Sequence, residues 1–247
     1  MSSTPEGMHT QSVRKYLRLR GLNNPAGGVY PVAARAIRER AQRHFHGRLL
    51  EIGCGNKTKQ LLVGDCVQEY VGLDHIDCIH DRGQIDIFAS AYATTVPDAS
   101  FDCVLSTAVM EHLEEPAAAL REALRVLKPG GVALYTAPMF WHLHEAPRDF
   151  YRYTSFGLKH LFEGAGFEIV EITPLSSFWL TFGSAWNYYL QRWRKGLLKP
   201  AVRALVVVNN LVFPALDRWM PRDERFAWMH LVVARRPAGS LGNQKER

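Results

Sequence analysis

The sequence predicts an α/β fold in which a doubly wound, mostly parallel sheet of seven strands carries helices on both faces. Short apolar strands alternate with helical segments over residues 48–172, and this alternation is typical of parallel sheets. A glycine turn follows the first strand directly. A last strand at 229–235 comes after an insertion at 173–226, and we expect it to pair antiparallel with the sixth.

The elements follow in order from apolar runs and the residues that break them. Pro31 opens a helix whose apolar residues keep helical spacing as far as Phe45. A short helix after the glycine turn is interrupted at 64–65, and the helix at 116–127 ends at the breaker cluster 128–131. Thr154 caps a helix that runs to 164. The predicted strands of this Rossmann-like sheet are 48–52, 70–74, 84–87, 100–106, 132–137, 167–172 and 229–235.

The chain has 247 residues, 47% of them hydrophobic, which suffices for one large domain. We expect a flexible leader at 1–30 with a short helix around 13–19, a domain at 31–236 and a disordered tail at 237–247. Residues 1–10 lack the apolar segment of a secretory signal, and no apolar run reaches the ~18 residues of a membrane span. A cytoplasmic protein is therefore expected.

Charge and cysteine content narrow the function classes. A net charge of +6 is modest, and much of the excess lies at the two ends and around 192–199, whereas a nucleic-acid groove would need more and better clustered charge. The four cysteines, at 54, 66, 78 and 103, match neither a zinc nor a disulfide spacing. We expect free thiols, most of them buried, in a reducing compartment.

The first strand and its glycine turn predict a nucleoside site. Glu51 ends the strand, and Gly53 and Gly55 let the backbone approach a ligand closely. Asp74 ends the second strand, where a carboxylate can accept from both ribose hydroxyls. Asp86, which ends or follows the third strand, can accept from an adenine amine. The structural alternatives are a turn-capping role for Asp74 and a solvated loop position for Asp86.

The charge around the turn favours one type of cofactor. Lys57 stands where the turn would carry a third glycine, so the full dinucleotide fingerprint is absent, and Glu51 is unfavourable for a pyrophosphate. S-adenosylmethionine carries a sulfonium and an ammonium group, and both suit an acidic pocket lined by glycine.

Four motifs in this order resemble the class I S-adenosylmethionine-dependent methyltransferases. They are Glu-Ile-Gly-Cys-Gly at 51–55, Gly-Leu-Asp at 72–74, the fourth-strand segment 101–106 with Glu-His-Leu at 111–113, and Leu-Lys-Pro-Gly-Gly at 127–131. The resemblance implies that the first motif holds the methionine end of the cofactor, Asp74 the ribose and Asp86 the adenine, with Ser106 and Thr107 beside the methyl group. The full predicted cofactor set is Glu51, Gly53, Cys54, Gly55, Asp74, His75, Asp86, Ile87, Ser106 and Thr107.

The loop after the fifth strand predicts the acceptor site, because a plain connection does not need so many charged and aromatic residues. His144, His142 and His112 are, in that order, candidates for the general base. The histidine spacing is not a standard zinc pattern, so no metal is predicted. The predicted substrate-binding residues are Trp141, Glu145, Arg148, Asp149, Tyr151 and Arg152. Alternatively, Arg148, Asp149 and Arg152 form a structural ion network and the tyrosines pack.

The segment 142–154 is similar to one in bacterial members of the family that are associated with polysaccharide or lipid-linked glycan assembly. The insertion at 173–226 combines aromatic residues with Arg and Lys. Three interpretations of it stay open, namely a packed helical lid, a homodimer surface, and a membrane-surface contact through 178–213.

We expect O-methylation of a small-molecule, sugar or lipid-linked acceptor, in which positioning does most of the catalysis. One alternative is a protein that binds the cofactor without catalysis. RNA or protein methylation is another, although no Asn-Pro-Pro-Tyr-type motif follows the fourth strand. A nicotinamide-dependent oxidoreductase is disfavoured by Lys57.

Overall fold

The computed structural model describes residues 14–17, 23–78 and 82–239. Residues 14–17 form a helical turn, while the rest of the helix expected around 13–19 and the tail residues 240–247 lie outside the described part. Within that part, seven strands form one sheet in the order β3-β2-β1-β4-β5-β7-β6. The strands are β1 Arg48–Ile52, β2 Glu69–Asp74, β3 Ile87–Phe88, β4 Phe101–Thr107, β5 Leu127–Pro138, β6 Glu168–Pro174 and β7 Met229–Arg235.

Strands β1 to β5 pair in parallel, and β7 lies antiparallel between β5 and β6. The predicted fold class is therefore confirmed, including the antiparallel last strand and the helical insertion before it. The helices of the described residues are α1 Tyr30–His44, α2 Gln60–Val63, α3 Pro116–Val126, α4 Ser155–Gly164, α5 Phe178–Leu190 and α6 Lys199–Trp219.

The core has two layers because successive strand residues point to opposite faces of the sheet. Leu49 and Leu105 pack on one face with the apolar side of α1 and with Leu180 of α5. Leu50 and Val104 pack on the other face with α3 and α4. Both layers are closed by fully buried side chains, so the carboxyl ends of β1, β2, β4 and β5 are held on a rigid support.

Two strand predictions need correction. Strand β3 comprises Ile87–Phe88 and not 84–87, so Asp86 precedes the strand. Residues 82–84 form a 3-10 turn, and the Asp86 amide donates to the Gly72 carbonyl. Strand β5 begins at Leu127, because the cluster 128–131 stays in the sheet as an irregularity: the amide of Gly130 donates to the carbonyl of Arg236 at 3.0 Å.

Two further expectations are wrong in part. Only Cys54 and Cys103 are buried, whereas Cys66 and Cys78 are intermediate, although none of the four forms a disulfide. The segment Gly196–Trp219 is long and apolar enough to cross a membrane by length and composition, with a mean hydropathy of 1.4. The sequence prediction counted uninterrupted runs, and Asn209, Asn210 and Pro214 interrupt this one without ending the helix.

Polar side chains attach the insertion to the domain. Asn187 donates to the side chain of Asn210 and to the carbonyl of Pro25, at 3.0 and 3.1 Å. Asp217, which is 4% exposed, accepts from the Ser177 hydroxyl and the Leu180 amide. One face of α6 is therefore fixed to the protein, while only 17% of its most apolar window is buried.

Candidate active site

The glycine turn leaves β1 at the carboxyl edge of the sheet. The amides of Gly53 and Cys54 donate to the carbonyl of Leu73, at 2.9 and 3.1 Å, so the turn is bonded to β2. Gly53 has φ +74°, and a Cβ at this position would collide with the side chain of Val109. Glycine is required here because both the backbone conformation and the contact exclude a side chain.

Lys57 adopts φ +52°, the left-handed conformation that glycine favours. Its side chain crosses Gly72, where any Cβ would collide with it, and Nζ pairs with Oδ2 of Asp86. The same Asp86 oxygen accepts from the Gly72 amide at 2.7 Å. The third glycine position therefore keeps the backbone shape of the fingerprint while its side chain fixes Asp86, directly before the half-buried Ile87.

Asp74 is fixed beside the turn by two backbone donors. Its Oδ2 accepts from the Gly55 amide and its Oδ1 from the His75 amide, both at 2.7 Å. Because a carboxylate offers about four acceptor positions, two remain for a ligand. The His75 ring is turned outward, with Nδ1 3.4 Å from Asp77, so His75 contributes to this site through its backbone.

Glu51 is fully buried at the end of β1. Its Oε2 accepts a hydrogen bond from the Tyr70 hydroxyl, whereas its Oε1 has no hydrogen-bond partner in the described part of the chain. Burial raises the pKa of this carboxyl to about 7. An unpartnered carboxylate oxygen next to a glycine turn fits a ligand with a cationic group. Burial likewise raises the pKa of the neighbouring Cys54 thiol to about 12, so this cysteine packs as a neutral group.

Strand β4 ends beside the turn with two buried hydroxyl residues, Ser106 and Thr107. Thr107 Oγ1 has no hydrogen-bond partner among residues 14–17, 23–78 and 82–239. Ala108 has φ +53°, and its amide donates to the Thr136 carbonyl at 3.0 Å. The chain thus leaves β4 abruptly and carries residues 109–112 over the turn.

A cluster of Glu111, His112 and His144 lies at the carboxyl ends of β4 and β5. One ligand-type atom from each of the three residues falls within 4.8 Å of the other two. Oε1 of Glu111 is 4.0 Å from Nε2 of each histidine, and Oε2 of Glu145 is 3.7 Å from Nε2 of His112. Glu111 is 1% exposed, and burial raises its pKa to about 7.

One ion pair fixes the loop 139–153 after β5, in which the sequence predicted the acceptor site and which is called the acceptor loop. Arg152 donates to both carboxylate oxygens of Asp149, at 2.6 and 2.8 Å, and to the carbonyls of Trp141 and His142. Asp149 also accepts from the His144 amide at 2.8 Å. The Arg152 guanidinium holds the pKa of Asp149 well below its usual range. These contacts are structural, and they set the position of the His144 ring.

The other predicted acceptor residues surround the cluster. The Tyr151 hydroxyl donates to the Glu114 carbonyl at 2.9 Å, and the exposed Arg148 offers its carbonyl to His112. The ring of Trp141 meets that of Tyr188 of α5 edge-on, and the ring of His142 lies tilted against it, with centroid distances of 4.9 and 4.2 Å. Partial burial lowers the pKa of His142, and its ring lies 6.0 Å from that of His144, outside the cluster.

A family model described as a methyltransferase domain matches residues 50–135, the segment from β1 to β5 that carries the turn, Asp74 and Glu111. This segment is therefore similar to the domain of the class I S-adenosylmethionine-dependent methyltransferases.

Three curated proteins are similar to parts of this chain. A Mycolicibacterium smegmatis protein named as a probable S-adenosylmethionine-dependent methyltransferase is 33% identical over 54% of the chain. A ubiquinone biosynthesis O-methyltransferase of Idiomarina loihiensis is 24% identical over 45%, and a 27-O-demethylrifamycin SV methyltransferase of Amycolatopsis mediterranei is 31% identical over 34%. The matches cover 57%, 51% and 36% of those proteins, so the chain spans little more than half of the relatives it matches.

Solved structures support the methyltransferase fold. The crystal structure of the [4+2]-cyclase SpnF superposes with a TM-score of 0.56 at 20% identity, over 97% of this chain and 98% of that one. An S-adenosylmethionine-dependent methyltransferase from Mesorhizobium loti gives 0.52 at 16% identity, over 83% and 98%. Because one of these proteins is a cyclase, the likeness establishes the fold and not the reaction.

Sequence reasoning missed several residues of the methyltransferase site. Glu111 was visible only as part of a motif, since nothing in the sequence shows that it is buried and faces two histidines. Tyr70 contacts Glu51 from β2, and Val109 lies against Gly53 from the turn after β4. Tyr188 reaches the acceptor loop from the insertion, and the dense aromatic content of 178–193 was the one signal available for it.

Proposed function

We propose that the protein transfers the methyl group of S-adenosylmethionine to an oxygen atom of a small-molecule, sugar or lipid-linked acceptor. The observation that carries this proposal is the position of the Glu111–His112–His144 cluster. It lies at the carboxyl ends of β4 and β5, next to the strand β1 that leads into the family's glycine turn. Ligands of such sheets bind at this edge.

On the donor side, the bound cofactor supplies a methyl group attached to a positively charged sulfur. The backbone of residues 53–55 and the carboxylate of Glu51 would receive its methionine end. The two free acceptor positions of Asp74 suit the ribose hydroxyls, and Asp86 with Ile87 suits the adenine. The free hydroxyl of Thr107, beside Ser106, faces the region where the reacting groups meet.

On the acceptor side, the chain has to position a hydroxyl and take its proton. His144 is the first candidate, because Asp149 and Arg152 fix its backbone and its Nε2 faces Glu111. The bound cofactor would supply the methyl group and keep the electron pair of the broken carbon–sulfur bond, while His144 in the cluster would take the hydroxyl proton.

The names of two relatives support oxygen as the methylated atom, since one is an O-methyltransferase and the other acts on an O-demethyl compound. In this chain Ser106, Thr107 and Ala108 stand at the end of β4, where an amino-methylating enzyme would carry an Asn-Pro-Pro-Tyr-type motif. RNA and protein acceptors are the rival class.

A bilayer surface is the proposed location of the acceptor. Exposed apolar side chains cover the outer face of α5 and α6, and Arg192, Arg194 and Lys195 lie between the two helices. Aromatic and basic residues together suit an anionic headgroup layer. The buried Asp217 fixes α6 to the domain. This attachment favours a cytoplasmic protein whose helix α6 lies on the membrane surface over a protein whose α6 spans the membrane.

The test is incubation of the purified chain with methyl-labelled S-adenosylmethionine and fractionated cell extract. We expect label in the lipid or glycan fraction, with a large loss in His144→Ala and none in His46→Ala, a histidine exposed before β1 at the other edge of the sheet. Label confined to RNA or protein contradicts the proposal. Cofactor binding without label in any fraction favours the non-catalytic alternative. Stabilisation against heat by a nicotinamide dinucleotide instead of S-adenosylmethionine contradicts the cofactor.

A further inference from the structure

We propose that Glu111, His112 and His144 bind one divalent transition-metal cation, with the Glu145 carboxylate as an additional oxygen donor. The four residues come from two segments that the fold brings together, the turn after β4 and the loop after β5. No local histidine spacing encodes the site, which is why the sequence predicted no metal.

The tautomer of His112 is set by its neighbours. Nδ1 of His112 lies 2.5 Å from the carbonyl oxygen of Arg148, which can only accept a hydrogen bond. Nδ1 therefore carries a proton, so the neutral ring would present the Nε2 lone pair toward Oε1 of Glu111, 4.0 Å away. A neutral histidine with its other nitrogen held by a carbonyl is the usual form of a metal ligand.

His144 has the same arrangement with a different orienting group. Its Nδ1 lies 3.3 Å from Oδ2 of Asp149, in a geometry that falls short of a hydrogen bond, so a small ring rotation completes the contact. Its Nε2 lies 4.0 Å from Oε1 of Glu111. A carboxylate behind a histidine ring is the common outer shell of a bound metal. Arg152 holds that carboxylate in place.

Oε1 of Glu111 and the two Nε2 atoms of the histidines thus face one another. In addition, no described residue donates to the other carboxylate oxygen of Glu111, Oε2, although this side chain is only 1% exposed. Separations of 4.0 Å are too long for hydrogen bonds. Two ligands ~2.1 Å from one zinc ion lie roughly 3.4 Å apart across a tetrahedral angle, so an inward movement of about half an ångström encloses a cation. A cation satisfies all three acceptors at once.

The ligand set determines the class of metal. Two imidazole nitrogens and one carboxylate suit Zn²⁺, Mn²⁺, Fe²⁺ or Ni²⁺, whereas Mg²⁺ and Ca²⁺ prefer oxygen ligands alone. Three firm protein ligands leave coordination positions open for an exogenous oxygen, as in catalytic and not structural sites. Glu145 is half-exposed, so it can approach or leave the ion.

The role of the ion, unlike its binding, rests on the methyl transfer proposed above. An acceptor hydroxyl that occupies an open position would lose its proton more easily, because coordination to a divalent cation lowers the pKa of a bound oxygen. With the ion bound, Nε2 of His144 would be a ligand and not the general base, so the proton would leave to Glu145, when this carboxylate is off the ion, and then to water. Such a site selects acceptors with two neighbouring oxygens, such as a vicinal diol, since both oxygens can coordinate.

The test is calorimetric titration of the metal-free full chain with ZnCl₂, MnCl₂ and MgCl₂, without cofactor or acceptor. We expect one Zn²⁺ or Mn²⁺ per chain, much weaker Mg²⁺ binding, and at least about a 100-fold loss of affinity in Glu111→Gln and in His144→Ala. His142→Ala, which removes a neighbouring histidine outside the cluster, and His46→Ala should bind like the wild type.

A second measurement guards against misfolded variants. Zn²⁺ should raise the Tm of the wild type and of His46→Ala but not that of Glu111→Gln, whose metal-free Tm shows whether it is folded. Absence of stoichiometric binding by the wild type, or equal binding by Glu111→Gln, overturns the site. Metal binding by a chain that methylates no acceptor overturns the proposed function and leaves the metal site standing.

Discussion

The amide of Gly55 donates a 2.7 Å hydrogen bond to Oδ2 of Asp74, which joins the glycine turn after β1 to the carboxyl end of β2. The turn and the carboxylate thus form one unit before any ligand binds. The contribution of the Asp74 carboxylate to ligand affinity can be measured by removing it. This carboxylate accepts a hydrogen bond from the turn, and it is proposed to accept another from the ribose.

Asp74→Ala should weaken S-adenosylmethionine binding about 100-fold, because each hydrogen bond to a charged group contributes about 1.5–3 kcal/mol. Isothermal titration of the full chain measures this loss. The matched control is Asp77→Ala, three residues on, whose carboxylate is 77% exposed and should leave the affinity unchanged. Equal losses in both variants would contradict the ribose assignment.

Glu51 predicts a pH dependence of cofactor binding. Its pKa is raised to about 7 by burial, so the carboxyl of the free protein is protonated below that pH. A cationic ligand favours the ionised form, and binding must then release a proton. We expect S-adenosylmethionine affinity to fall as pH drops from about 7.5 to about 6, with proton uptake by the buffer, and Glu51→Gln to remove this dependence while it weakens binding above pH 7.

The same group affects stability with a definite sign. The pKa of Glu51 in the folded protein, about 7, exceeds the ordinary value of 4.5. The folded state therefore binds the proton more tightly than the unfolded state does, and this contribution to the free energy of unfolding is fully present below that ordinary value. It is lost as pH rises through about 7, with a maximum on the order of 3 kcal/mol. Denaturant unfolding of the ligand-free wild type and Glu51→Gln across this range should diverge, and parallel curves would contradict the shift.

Removal of Arg152 should destabilise the protein more than removal of an exposed partner does. Arg152→Ala leaves the Asp149 carboxylate, 1% exposed, without its cation, at a cost of about 2–3 kcal/mol once the partial exposure of Arg152 is discounted. The Asp149→Ala and Arg152→Ala double variant should lose less than the sum of the singles. Lys159→Ala, which breaks an exposed pair with Glu163, should change the free energy of unfolding by less than about 0.5 kcal/mol.

Trp219→Glu should abolish sedimentation with vesicles that contain anionic lipid, because it places a charge on the apolar face of α6. Phe156→Glu is the matched control on α4, since the two side chains are 80% and 83% exposed, and it should leave vesicle binding intact. Light scattering in the same buffers measures whether the chain forms a dimer through this surface instead. A wild-type dimer that Trp219→Glu dissociates, with no vesicle binding, would identify the surface as a subunit interface.

Local patterns predicted the strands that carry the donor site. The runs at 48–52 and 229–235 have the bounds of β1 and β7, because continuous apolar residues between breakers leave no other buried arrangement. The sequence pattern predicted the wrong structure where hydrogen bonds to a distant part of the backbone determine the conformation. Residues 128–131 look like a turn, yet the backbone around Arg236 keeps them in the sheet. Lys57 looked like a lost glycine, and only its φ of +52° shows that the backbone shape is retained.

The acceptor side was harder to predict for a physical reason. The sequence shows that His112 and His144 exist, but the distance between them depends on the return of the chain through β5. The sequence alone does not distinguish Glu111 from an exposed glutamate. Its burial and the absence of a hydrogen-bond donor to Oε2 among the described residues indicate its role. Asp149 and Arg152 could be foreseen as either substrate ligands or a structural pair, and their mutual contacts are those of a pair.

The pairing of β1 with β4 places the two halves of the site on adjacent strands, with Glu51 opposite Leu105. In the proposed function, the turn after β1 binds the donor, whereas the turn after β4, the loop 139–153 after β5 and the insertion bind the acceptor. The acceptor segments could then be exchanged or lengthened in evolution while the donor half stays unaltered. Grafting residues 139–153 between relatives would therefore be a route to new specificity.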